Sequence, residues 1–86
     1  WYAAWEGHLA CAQLLLERGA DVQATGLFDW TPLYVAAFRG HNDVVNLLIR
    51  HGANVNARDR IGGTALHLAA WKGQLEVAKI LLDNGG

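Results

Sequence analysis

The 22 residues AAFRGHNDVVNLLIRHGANVNA, 36–57, decide the fold because the chain writes them more than once. AAWEGHLACAQLLLERGADVQA runs from Ala3 and AAWKGQLEVAKILLDNGG from Ala69, and the three stretches align without a gap. Their starting positions, 3, 36 and 69, differ by 33 residues each time. Self-similarity at a fixed period of this length is the signature of stacked supersecondary units, each unable to bury its own apolar face and each relying on its neighbours.

Within one unit the local chemistry reads as two short helices. Thr31 is a good N-cap, its hydroxyl able to accept a free backbone N–H one turn on, and Pro32 suits the first helical position, where no N–H is needed. The spacing predicts a helix from Thr31 to about Arg39, stopped by Gly40 in the left-handed conformation. A second helix is predicted from Asn42 to about Arg50, with Val44, Val45, Leu47, Leu48 and Ile49 turned inward and Gly52 ending it. ANVNARDRIGG, 53–63, is polar and Gly-marked, an extended turn segment leading to the next cap, Thr64.

These residues resemble the ankyrin repeat family over essentially the whole length. The family's T-P-L-H-x-A-A signature stands as TPLYVAA from Thr31 and TALHLAA from Thr64, and its second half, which opens G-H-x-x-V-V-x-L-L and closes G-A-x-V-N-A, is nearly intact from Gly40 to Ala57. The resemblance implies an all-α repeat solenoid of helix–turn–helix units joined by projecting β-turn fingers and used to bind other proteins. The 86 residues then form a single domain of about two and two-thirds units, a partial repeat 1–30, a repeat 31–63 and a partial repeat 64–86. Departures from the pattern fall at the finger tip, kept as Gly62 but replaced by Asp29, and in the signature-histidine column. There His67 survives, while Tyr34 and Trp1 take its place and are expected to pack structurally, with the histidine's hydrogen bond near the loop lost in both units.

Composition narrows the class of partner. A net charge of −1 gives no electrostatic reason to expect nucleic acid or an anionic membrane. No apolar run approaches the ~18 residues of a membrane span. The single cysteine, Cys11, cannot form an internal disulfide, which points to a reducing intracellular setting, cytoplasm or nucleus. Cys11 stands where a valine-like core residue is expected, and so reads as a buried, inert thiol. His8, His41, His51 and His67 pair with no cysteine or carboxylate at metal-ligand spacing, and no nucleophile is set beside a base. No catalytic residue, metal site or cofactor is expected, and the chain is not read as an enzyme.

What the core leaves unexplained is a surplus of aromatics. The pair after each AA reads Trp5–Glu6, Phe38–Arg39 and Trp71–Lys72, and Trp30 precedes the cap of the middle unit. In arrays similar to ankyrin these positions lie on the finger and the concave side of the first helix. Trp5, Phe38 and Trp71 should therefore form a ladder across the groove. The expected partner-binding set is Trp30, Phe38, Trp71 and Trp5 with Arg39 and Lys72, joined by the loop residues Phe28 and Arg60. Arg58, Asp59 and Arg60 otherwise read as a solvated charge cluster.

The partner is thus a protein or peptide, and the apolar ends CAQLLL and KILL are expected to favour end-to-end self-association. Two alternatives stand beside this. One is a reader of methylated lysine or another cationic peptide, because Trp30 matches a cage tryptophan of ankyrin-type readers, although the remaining cage positions fall at Val35, Leu68 and Phe38. The other is an engineered or selected binder, suggested by Trp and Phe at outward positions on a retained frame; Cys11 and Asn42 speak instead for natural drift or a fragment.

Overall fold

The computed structural model describes residues 2–25 and 30–85. Trp1, Phe28 and Asp29, named above, lie outside the described residues. Among the described residues six helices follow in chain order: α1 (Tyr2–Glu6), α2 (Leu9–Glu17), α3 (Pro32–Arg39), α4 (Asn42–Arg50), α5 (Ala65–Lys72) and α6 (Leu75–Asp83). No strand occurs among the described residues. Helices α1, α3 and α5 pack in one row and α2, α4 and α6 in a second, with a two-residue link inside each pair. The chain is an all-α repeat array.

Each first helix begins and ends as its sequence dictates. Thr31 Oγ1 accepts the Tyr34 N–H at 3.3 Å, and Pro32 occupies the first turn. At the other end Gly40 takes φ 75°, a left-handed conformation that costs glycine nothing. That conformation lets the N–H of Gly40 bond Ala37 O (3.3 Å) and the N–H of His41 bond Ala36 O (3.0 Å), satisfying carbonyls the helix end would leave open. Thr64 and Gly73 repeat the arrangement around α5, with Gln74 N–H bonding Ala69 O at 2.8 Å.

The same corner also locks one unit to the next. His41 Nε2 donates to the carbonyl oxygen of Trp5 at 2.9 Å, and Gln74 Nε2, one period later, donates to that of Phe38 at 3.3 Å. Their side chains lie over the glycines of the preceding unit: a Cβ on Gly7 would fall 2.6 Å from His41 Nδ1, and one on Gly40 2.6 Å from Gln74 Oε1. Gly7 and Gly40 are therefore required twice, for the turn and for the room it leaves.

Burial follows neighbours more than residue type. Val44, Leu47 and Leu48 of α4 are buried, as are Val77 and Leu81 of α6. Their equivalents on α2, Cys11, Leu14 and Leu15, are exposed, because that side of α2 meets no further helix pair. The expectation of a buried Cys11 is corrected accordingly: the column is a core column only where a preceding unit covers it. On the opposite side Ala12 and Leu16 are buried under α4, whereas Leu75 and Leu82 of α6 are exposed.

The segment 53–63 is a loop clasped by Asp59. Gly62 N–H bonds Asp59 O at 3.0 Å across a four-residue turn, and Asp59 N–H bonds Gly63 O at 2.8 Å. Asp59 Oδ1 accepts the N–H groups of Ile61 (3.0 Å) and Gly63 (2.9 Å), and Oδ2 accepts the Tyr34 hydroxyl at 2.7 Å. Arg58 Nη1 donates to Gly62 O at 2.8 Å. Two expectations change here. Asp59 is a structural clasp and not a merely solvated charge, and Tyr34 does not lose the loop hydrogen bond but makes it across to the following loop, because the phenol reaches farther than imidazole. His67 instead turns back on its own cap, where Thr64 N–H donates to Nδ1 at 3.1 Å.

The Tyr34 hydrogen bond, with help from loop N–H groups, holds the Asp59 carboxyl below its ordinary range, while burial and then Asp59 push the Tyr34 phenol above its own. The lowered carboxyl contributes stability that is present above the ordinary carboxylate pKa and lost as pH falls through the folded value. The raised phenol contributes stability that is present below its ordinary pKa of 10.0 and lost as pH rises beyond it. Denaturant melts across pH should show Tyr34→Phe removing the alkaline loss and shrinking the acid one, since Ile61 and Gly63 still bond Asp59; unchanged profiles would refute the clasp. Neighbour-dependent burial predicts unequal costs at equivalent sites. Leu48→Ala, at 0% exposure, should cost about 2–5 kcal/mol by equilibrium unfolding, and Leu15→Ala, at 42%, about 1 kcal/mol or less.

Candidate functional site

The surplus aromatics converge at the C-terminal ends of the first helices. The caps at Gly7, Gly40 and Gly73 fix where α1, α3 and α5 end, and so bring Trp5, Phe38–Arg39 and Trp71–Lys72 into one register. Trp5 and Phe38 stack across adjacent units with centroids 6.1 Å apart and planes inclined by 23°. Trp30 joins from the loop, 5.4 Å from the Phe38 ring and 4.9 Å from that of Tyr34. Four rings from two units and one loop form a continuous apolar strip.

Cations cross-link the strip in the same sense at each step. The Arg39 guanidinium carbon lies 4.6 Å over the Trp5 ring, and Lys72 Nζ lies 4.8 Å over Phe38 and 6.0 Å from Trp71. In both cases a cation of one unit covers the aromatic of the unit before it, 34 positions earlier, where the negative face of the ring attracts it. The ladder expected of Trp5, Phe38 and Trp71 is thus one of alternating rings and charges, with Lys72 set between Phe38 and Trp71.

Exposure divides the rings by role. Trp30 and Phe38 are half-buried, and Trp30 rests on the core beside Tyr34, which is buried. Trp71 is 78% exposed. Opposite it stands Ile61, a branched apolar side chain at the loop tip and 91% exposed. Between them lies a groove of about 350 Å³ lined by Trp30, Tyr34, Ile61, His67, Leu68 and Trp71, with Asp59 and Gly63 on the loop side. Arg60 borders a smaller adjoining hollow with Trp30, Asp59 and Ile61. Because His67 Nδ1 accepts from Thr64, the neutral ring carries its proton on Nε2.

A roomier concavity, about 430 Å³, lies among Leu9, Asp43, Asn46 and Arg50 on the second-helix row. Three of its four lining residues are polar or charged and it offers no aromatic anchor, so size does not make it the better site. Ile61, His67 and Leu68 were not foreseen as groove residues. Ile61 carried a legible signal, a lone branched apolar residue between Arg60 and Gly62 in a polar loop. His67 and Leu68 carried none, since their places in the signature read as structural. Among the described residues no three His, Cys, Asp or Glu side chains gather as metal ligands, and no helix is long and apolar enough to cross a membrane.

No curated protein matches the chain. A family model described as ankyrin repeats matches residues 1–86 in three copies. That match agrees with the paired helices, the glycine caps and the 33-residue spacing. Ankyrin repeats are in general protein–protein interaction modules. By sequence and by architecture, this chain belongs to the ankyrin repeat family.

Proposed function

We propose that the chain binds a partner protein or peptide through the groove between the 58–63 loop and the first-helix row. Units divided at Thr31 and Thr64 act together as one binding surface. The observation that carries this reading is the pairing of Trp71 and Ile61, two large apolar side chains exposed on facing walls of an apolar groove. A partner that fills the groove buries them. Trp30 lines the groove and Phe38 braces it from behind, Trp5 extends the strip, and Arg39, Lys72 and Arg60 supply its polar edge. The role is one of binding without catalysis, and the free thiol of Cys11 fits a reducing, intracellular compartment.

A reader of methylated lysine is the poorer fit. Val35, Leu68 and Phe38 supply no acid, Asp59 commits both oxygens to Tyr34, Ile61 and Gly63, and the Lys72 ammonium already lies over Phe38. Association of copies is a second mode, favoured by Leu14 and Leu15 exposed on α2 and Leu75 and Leu82 exposed on α6.

Partner capture from cell extract followed by variant binding tests the groove. Trp71→Ala and Ile61→Asp should each weaken the captured complex by about tenfold or more, with the unfolding free energy changed by no more than about 0.5 kcal/mol. Trp30→Ala should lower both, because it also supports the core. Loss of binding with Asn46→Ala or Asp43→Ala, and none with the groove variants, would move the site to the second-helix row. Sedimentation equilibrium tests the second mode: Leu15→Glu and Leu82→Glu should abolish concentration-dependent mass, and a strict monomer in the parent chain would dismiss it.

A further inference from the structure

The groove is positively edged on a chain that is negative overall. Arg39, Arg58, Arg60 and Lys72, four of the seven basic residues, stand on the 58–63 loop and the ends of α3 and α5. Among the described residues two acids share this side, Glu6 at the end of α1 and Asp59, whose oxygens face Tyr34, Ile61 and Gly63. Elsewhere among the described residues Arg18, Arg50 and Lys79 stand against Glu17, Asp21, Asp43, Glu76 and Asp83. Counting these charges, which leave out Asp29 because it lies outside the described residues, gives a surplus of two positive on the groove side and two negative on the other. Such a segregated field selects partners by sign even when the chain's net charge is −1.

We infer that the groove takes an acidic, extended peptide segment, one bulky apolar side chain seated between Ile61 and Trp71 and flanking carboxylates meeting Lys72 and Arg39. This rests on the groove being the binding surface and adds the chemistry of what it selects. The cavity admits a large side chain and its walls are apolar, so an anchor is required. Lys72 lies between the Phe38 and Trp71 rings, so a carboxylate beside the anchor finds an ammonium already ordered, without the entropy of fixing a free lysine. A basic peptide would instead bring its charges against Arg39, Lys72 and Arg60. A nucleic acid strand could stack on the same rings, but its continuous phosphate charge would meet a small cationic surplus and the acids beyond it.

A random dodecapeptide display selection against the 86-residue chain, with a fluorescent oligothymidylate titrated in parallel, tests the inference. Enriched peptides should be acidic with one aromatic or large aliphatic residue, and should bind more weakly as salt rises from about 0.05 to about 0.5 M. Lys72→Glu and Arg39→Glu should each lower their affinity by about tenfold, with Trp71→Ala doing the same and circular dichroism confirming the fold. Peptides that are neutral or basic yet sensitive to Trp71→Ala would overturn the charge preference and leave the groove in place. Acidic peptides indifferent to Trp71→Ala would overturn the groove itself. Enrichment of no peptide, or tighter binding of the oligothymidylate, would also overturn the inference.

Discussion

A helix of eight or nine residues cannot bury its apolar surface alone, and pairing it with one neighbour covers only part of what remains. The chain meets this constraint by passing each uncovered face to the following unit. Leu48 is buried and Leu15 is not, although both stand at the same place in the same motif. The difference lies in what is packed beside them. Stability is therefore a property of interfaces between units, and of caps that hold the interfaces in register.

Those caps also set the register of the proposed binding surface. The glycine that ends each first helix fixes where the helix stops, and so the level at which the two residues before it stand. Repetition turns one aromatic and one charge per unit into a strip. The cation of each unit lies over the ring of the unit before it, so the strip is held together by the same neighbour relation as the core. Ring and charge are distinct in sequence, yet both depend on the position of one left-handed residue, while the loop tip is held by Asp59.

Much of the architecture was legible in the residues. Thr31, Pro32 and Gly40 bounded α3 by local chemistry, and the 33-residue spacing carried that reading to the other units. The stacked column of Trp5 and Phe38 followed from the same register. What a repeat cannot reveal is how a motif behaves when its surroundings differ. Cys11 occupies a core column but lies on a face no unit covers. Tyr34 occupies a histidine column, and its longer side chain reaches Asp59 on the next loop. The groove escaped for a related reason: it is formed by Ile61 and Trp71, ten positions apart, and only the clasp at Asp59 sets the loop opposite the helix.

The fit of His41 over Gly7 and of Gln74 over Gly40 sets terms for how such a chain can be rearranged. Each unit presents a plug on its leading edge and a socket on its trailing edge, and the two are matched in shape without being identical in chemistry. Histidine and glutamine serve alike because both reach a backbone carbonyl that every unit owns. Units can accordingly be duplicated, deleted or exchanged as whole modules while the joints remain compatible. A larger residue at the socket glycine would force the plug side chain to shift and would strain the left-handed turn. Modularity here is a property of the joint, because the joint asks only for a donor that reaches a backbone carbonyl.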